Sequence, residues 1–311
     1  MPLRTCQPYC LLLAAIVSCA PERDETTTKG HLNVVVGESV TPILAIEVRS
    51  FMDLYRANGA DLTYSVSPSE AVNFRFVRNT DRMIITATPL TPDEKQIVRK
   101  TTDELVELIL AYDGVVAVVQ EKNSCSQLSL RQIQDILGGK ITRWDELGRF
   151  KNPRGGIHVV VGDSSDAGSY LSRRLLAGKG IRIPHRSRSS PLQILDEVAR
   201  DPQALGFGDL AWLDSAKTRI KVLAIATDSM LADTAFMPDH ESFGSFFSPN
   251  PAYIYLNSYP LKRAIYGYAR TTRGDLPTGF ISFIASAAGQ QIVLKKGLVP
   301  ATQKIRLRPP E

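Results

Sequence analysis

The sequence predicts an α/β protein folded as two lobes, and three features carry that reading. Strand-like apolar runs alternate with helical periodicities from His31 onward. Helix-start signals stand between them, and a β-α-β-α-β order of this kind favours a parallel sheet with helices on its faces. The 311 residues also hold more alternating elements than one sheet absorbs easily.

Taken in order, "HLNVVV" reads as a strand, and Ser39 to Pro42 open a helix whose Leu44, Val48, Phe51 and Tyr55 share one face. "DLTYSV" alternates as a strand and leads into Ser67-Pro68-Ser69-Glu70, read as a capping box with proline at the first helical position. "RMIITA" is a third strand, followed by the same device at Thr91-Pro92-Asp93-Glu94. "ELILAYDGVVAVVQ" passes through two apolar stretches with Asp113-Gly114 between them. Ser129 caps a helix carrying Leu130, Ile133, Ile136 and Leu137, and Gly138 ends it. "IHVVV", "SPLQILDEVARDP" and "IKVLAI" continue the alternation, while residues 227–251 read as a long surface excursion. The chain closes with the strand "RAIYGYA" and the helices "PTGFISFIA" and "AAGQQIVLKK".

The composition is that of a globular protein, 43% hydrophobic and 22% charged, with a net charge of +5 that mildly favours anionic ligands. Lysine and arginine are scattered and form no nucleic-acid motif, so a nucleic-acid partner is not expected. The N-terminus has one arginine, an apolar stretch from Leu11 to Val17, and then Ser18-Cys19. That stretch is too short to span a bilayer and suits the core of a signal peptide. Ile16-Val17-Ser18-Cys19 resembles the bacterial lipobox, which implies a lipoprotein signal over residues 1–18, lipid attachment at Cys19 and a polar tether over 19–30. Cys6 and Cys10 leave with such a signal, so Cys125 remains as a lone thiol and no internal disulfide is expected.

The stretch "VVGDSSDAGSY", residues 160–170, is a strand running into a Ser- and Gly-rich loop that opens a helix. Such a loop is a natural seat for an anion, because backbone N–H groups point outward at a helix start. Yet it carries Asp163 and Asp166 where a positive side chain is expected. Either the loop holds an anion, or its own aspartates fill the place.

Four further stretches define a resemblance. "LSLRQIQDILGGKITRWDELG", "ALGFGDLAWL", "YPLKRAIYGYA" and "FISFIASAAGQQIVLKKGLVPA" are similar, in that order, to segments of the phosphate-binding proteins that serve phosphate ABC importers. The similarity runs from about Leu32 to Ala301. It implies a type II periplasmic-binding-protein fold, two α/β lobes around a central ligand cleft. Lobe 1 then comprises residues 31–112 and 264–305, and lobe 2 residues 113–263. It also implies capture of a small oxyanion, above all inorganic phosphate, and delivery to an ABC permease complex. The protein is then placed in the periplasm or on the outer face, with the N-terminal lipid anchoring it to the cell membrane or outer membrane.

Carried over residue by residue, the resemblance assigns Ser39 as a donor at the first helix start, a serine that equally serves as a helix cap. Ser67 and Ser69 lie at the second helix start, with Ser67 already given a capping role. The resemblance implies an aspartate after the third strand that accepts a hydrogen bond from protonated phosphate; Ala87 stands there, between Thr86 and Thr88, which retain donor hydroxyls. In the opening loop Ala167-Gly168-Ser169 stands for the family's Ser-Gly-Thr, Ser165 lies just before it, and Asp163 falls on or beside the arginine position. The ligand set is thus Ser39, Ser67, Thr86, Asp163, Ser165, Gly168 and Ser169.

Two accounts of the carboxylates stay open. In one, Asp163 or Asp166 accepts the phosphate proton in place of the missing aspartate, with cationic help from Arg82 or another arginine. In the other, an aspartate caps the helix and the ligand has changed, or the cleft serves a sensor or surface-interaction role without phosphate. An enzyme is not expected: His31, His158, His185 and His240 show no metal-ligand spacing, there is no nucleophile elbow, and no metal or cofactor is implied. Trp144 reads as core.

Overall fold

A computed structural model describes residues 25–148, 155–162, 165–215, 219–272 and 274–304. The signal stretch, Cys19 and Asp163 lie outside the described residues. Strands β1 (Gly30–Gly37), β2 (Ala60–Ser67) and β3 (Met83–Thr86) alternate with helices α1 (Thr41–Tyr55), α2 (Ser69–Val77) and α3 (Pro92–Arg99). Then follow β4 (Glu104–Gln120), β5 (Gln127–Ser129), α4 (Leu130–Leu137), β6 (His158–Val160), α5 (Asp166–Leu176), β7 (His185–Arg186), α6 (Pro191–Arg200) and β8 (Ala204–Asp209). The last part holds β9 (Ile220–Val222), β10 (Ala224–Ala226), β11 (Phe246–Phe247), α7 (Pro251–Tyr255), β12 (Lys262–Thr271), α8 (Leu276–Ala285), α9 (Ala287–Lys295) and β13 (Val299–Pro300).

The main sheet runs β2-β1-β3-β12-β4-β8-β6-β7, with β9 and β13 also pairing to β4. β1 is parallel to β2 and β3, and β6 is parallel to β7 and β8. β12 runs antiparallel to β3 and β4. β4 joins the two lobes: it pairs with β12 over Glu104–Gly114 and with β8 over Val115–Val119. The two apolar stretches around Asp113-Gly114 are therefore one continuous strand of 17 residues. Asp113 lies opposite Arg263 in the β12 ladder, and a Cβ at Gly114 would sit 3.0 Å from the Tyr259 ring, a tight contact to which the ring would have to yield.

Strand periodicity puts the core on both faces of the sheet. Leu32, Val34 and Val36 pack with Leu44, Phe51 and Phe280 on one side of β1, and Val35 packs with Phe76 and Tyr268 on the other. In the second lobe Val115, Ala117 and Val119 join the cluster around Trp144, while Val116 and Val118 meet Ile194 and Val198 of α6. Each such fully buried aliphatic side chain stabilises the fold by about 1.5–3 kcal/mol. Trp144 is fully buried, and its indole N–H donates to the Gln203 carbonyl at 3.0 Å.

The capping boxes at Thr91 and Ser129 form with both reciprocal bonds. The one read at Ser67 does not. Ser67 remains in β2, paired with Gly37, so Pro68 becomes the N-cap and the helix begins at Ser69. The excursion over 227–251 carries 3-10 turns at Ser229–Leu231, Thr234–Phe236 and His240–Ser242, besides β11.

Candidate anion-binding site

Because β1, β2 and β3 are parallel, their C-terminal ends meet along one edge of the first lobe, where open α/β sheets bind ligands. β1 ends at Gly37 and turns through Glu38–Val40 into α1. β2 turns at Pro68, which has no N–H, so the first free donor at that helix entry is Ser69. β3 ends at Thr86, followed by Ala87, whose N–H donates to Ser69 Oγ at 3.4 Å. Ser39 and Ser69 are buried, at 0% and 1% exposure. Their approach depends on Gly37, where a Cβ would lie 2.5 Å from Ser69 Oγ and 3.1 Å from an Asp166 carboxylate oxygen.

That carboxylate comes from the other lobe. β6 feeds the opening loop, and Ser165 caps α5: its Oγ accepts from the Gly168 N–H at 3.1 Å and donates to the Gly162 carbonyl at 2.7 Å. Asp166, the first residue of α5, reaches across the cleft. Its Oδ2 accepts from the Ser39 N–H at 3.0 Å and from the Ser39 hydroxyl at 2.5 Å, and its Oδ1 accepts from the Ser69 N–H at 2.8 Å. Hydrogen bonds to an ionised group contribute roughly 1.5–3 kcal/mol each. The loop's own aspartate thus takes up a set of helix-entry donors, but those donors belong to the opposite lobe. The expectation that an aspartate caps its own helix is corrected, since Ser165 already does so.

A charged cluster stands with this contact. Arg263 of β12 donates to Asp113 at 2.6 Å and to Asp209, at the end of β8, at 2.5 Å, and all three are buried. Burial works to lower the Arg263 pKa, yet the charges of Asp209, Asp113 and Asp166 hold it well above its ordinary value. Burial pushes Asp209 up to about 6 against the pull of Arg263. Glu38 rises to about 7, through burial and then the charges of Asp209 and Asp166. Arg263 is therefore the buried cation whose charge acts with Asp166. Arg82, the arginine named from the sequence, is not at this site: it precedes β3 at the end away from Thr86 and pairs with Glu25 at 2.9 Å and Asp275 at 3.3 Å.

The remaining residues named from the sequence are placed as follows. Thr86 is fully buried and closes a local turn, its hydroxyl donating to the Thr88 carbonyl at 3.3 Å and accepting from the Thr88 N–H at 3.1 Å. Gly168 gives its N–H to Ser165, and no side chain fits there because a Cβ would meet the Gly162 carbonyl at 2.2 Å. Ser169 is half-buried in the first turn of α5, and its N–H donates to the Ser165 carbonyl. Ser67 sits at the end of β2, while Ser69 supplies the donor. The proline before Ser69 is the sequence signal that marks this residue. Beside the Asp166 contact, a cavity of about 590 Å³ opens between the lobes, with Glu38 and Pro68 on one wall and Ser165, Arg188 and Gln193 on the other. Among the described residues no group of three or more His, Cys, Asp or Glu is placed to hold a metal ion. No helix among them is long and apolar enough to cross a membrane.

Two lobes whose strand ends face one cleft, with a carboxylate of one held by backbone and hydroxyl donors of the other, have the architecture of the periplasmic-binding class. The chain belongs to the PBP superfamily domain family, whose model matches residues 21–288. It is 23% identical to the SphX protein of Synechococcus elongatus, over 82% of this chain and 76% of that one. It is 22% identical to the phosphate-binding protein PstS of Borreliella burgdorferi, over 84% and 86%. A Clostridium perfringens structure with bound phosphate, assigned as a phosphate ABC transporter substrate-binding protein, shares the fold with a TM-score of 0.70 and 22% identity, over 88% of this chain and all (100%) of that one. An ABC-type phosphate transport receptor from Vibrio cholerae does so with a TM-score of 0.64 and 19% identity, over 87% of this chain and 100% of that one.

Proposed function

We propose that this protein captures a small oxyanion, inorganic phosphate first among them, for an ABC importer. The observation that carries the reading is the convergence of the Ser39 N–H, the Ser39 hydroxyl and the Ser69 N–H on one buried point already occupied by a carboxylate. Two oxygens of a phosphate present the same pair of acceptors to the same donors. In this reading residues 31–112 with 264–305 form one lobe and 113–263 the other, and the ligand is enclosed by donors of the first and by α5 of the second. Ser165 and Arg188 line the cavity from the second lobe's side, and Asp163 and Ser169 belong to the same loop and helix start in the sequence. The protein works outside the cytoplasmic membrane, held by lipid on Cys19, and hands its ligand to a permease.

Calorimetric titration of the purified protein with phosphate, with sulfate as control, tests the proposal. Saturable binding of one phosphate per chain supports it. Absence of heat with either anion favours the second reading, a cleft kept for sensing or for another ligand, which the filled seat also supports.

A further inference from the structure

We propose that Asp166 is a tethered substitute for the ligand, closing the cleft without one and setting how tightly an external oxyanion binds. The inference rests on the reading of the Ser39 and Ser69 donors as the ligand seat. Both carboxylate oxygens are engaged, Oδ2 by Ser39 and Oδ1 by Ser69, so no donor of the seat is left for a phosphate while Asp166 stays in place. An incoming anion must displace it rather than bind beside it.

Three features show that the carboxylate is built into this position. α5 does not need it as an N-cap, because the Ser165 hydroxyl accepts from the Gly168 N–H. Gly37 leaves room that any larger residue would fill, a Cβ there lying 3.1 Å from Asp166 Oδ2. Asp166 itself is only 3% exposed, enclosed as a bound ligand is. The bonds also link elements 127 and 97 residues apart, from lobe to lobe. Arg173, two turns further along α5, adds bonds to Glu70 at 2.8 Å and to the Thr88 hydroxyl at 3.0 Å. The adjoining interlobe cavity of about 590 Å³ gives the side chain somewhere to turn when the lobes part.

The consequence is competition within one molecule. If the tethered carboxylate occupies the seat most of the time, the apparent affinity for a free anion is its intrinsic value multiplied by the fraction of chains in which the seat is vacant. A seat closed nine times in ten weakens binding about tenfold.

The test compares the full chain with Asp166→Ala, using inorganic phosphate in calorimetry and small-angle scattering before and after its addition. Asp166→Ala is expected to bind phosphate at least tenfold more tightly and to be more extended before phosphate is added. Asp166→Asn, which keeps the shape and loses the charge, is expected to fall between and serves if the alanine variant fails to fold. A folded variant that binds no more tightly than the parent and scatters identically overturns the inference. If neither chain binds phosphate or sulfate, the phosphate reading fails, and scattering decides this one: opening of Asp166→Ala upholds the tether, and an unchanged profile removes it.

Discussion

Arg263 of β12 donates to Asp113 of β4 at 2.6 Å, and the same two residues are partners in the antiparallel register of their strands. The guanidinium also holds Asp209, so one buried cation ties β12, β4 and the end of β8 together where the lobes join. Removing one member of a buried ionic group leaves the others uncompensated, at a cost of about 3–5 kcal/mol. Arg263→Met should lower stability by that amount in chemical denaturation. A loss under about 1 kcal/mol would mean the cluster is solvated, contrary to its burial.

Glu47 gives a pH prediction. Its side chain is 1% exposed, neither carboxyl oxygen has a hydrogen-bond partner among the described residues, and it faces Ile43, Leu44, Ile85 and Leu110. Burial raises its pKa from 4.5 to about 8. The native state therefore keeps a proton that the unfolded chain releases, and stability falls as pH rises from 4.5 to about 8, then levels. The loss is of the order of 5 kcal/mol. Glu47→Met should flatten that part of the pH profile of unfolding and raise stability more at pH about 8 than at pH about 5. An unchanged profile would contradict the buried, unpaired carboxyl.

The carboxylates of the cleft act on one another. Glu38 is held at about 7 by burial, then by Asp209 and Asp166, so it gains or loses its proton near neutrality. Taking the charge from Asp166 removes one of these influences. In Asp166→Asn the Glu38 carboxyl, followed by carbon-detected NMR titration, should move down from about 7 toward the ordinary carboxylate range. No movement would place Asp166 away from Glu38 in solution.

Anchoring is tested at Cys19. Cys19→Ser should abolish lipid attachment, seen as a loss of mass, and shift the protein from the membrane to the soluble fraction. Unchanged fractionation would count against the lipobox reading.

Much of the fold is written in local pattern. The β-α-β-α-β order, the capping boxes at Thr91 and Ser129 and the apolar face of α1 depend on neighbours a few residues away, so periodicity reveals them. Ser39 was legible for the same reason, as a hydroxyl residue at a helix entry. Ser69 was overshadowed because Ser67 matched a capping box that β2 pairing prevents. Asp166 and Arg263 were harder. Their roles depend on partners 127 and 150 residues away, and no spacing in the chain tells which carboxylate crosses a cleft or which arginine lies behind it. The direction of the Asp166 side chain is set by tertiary closure, with Ser165 having taken the local capping role.

The most direct measurement is a crystal structure of the protein grown with phosphate. The account predicts one phosphate oxygen against the N–H and hydroxyl of Ser39 and a second against the N–H of Ser69, with the Asp166 carboxylate turned away. Phosphate bound elsewhere, with Asp166 still holding Ser39 and Ser69, would contradict it.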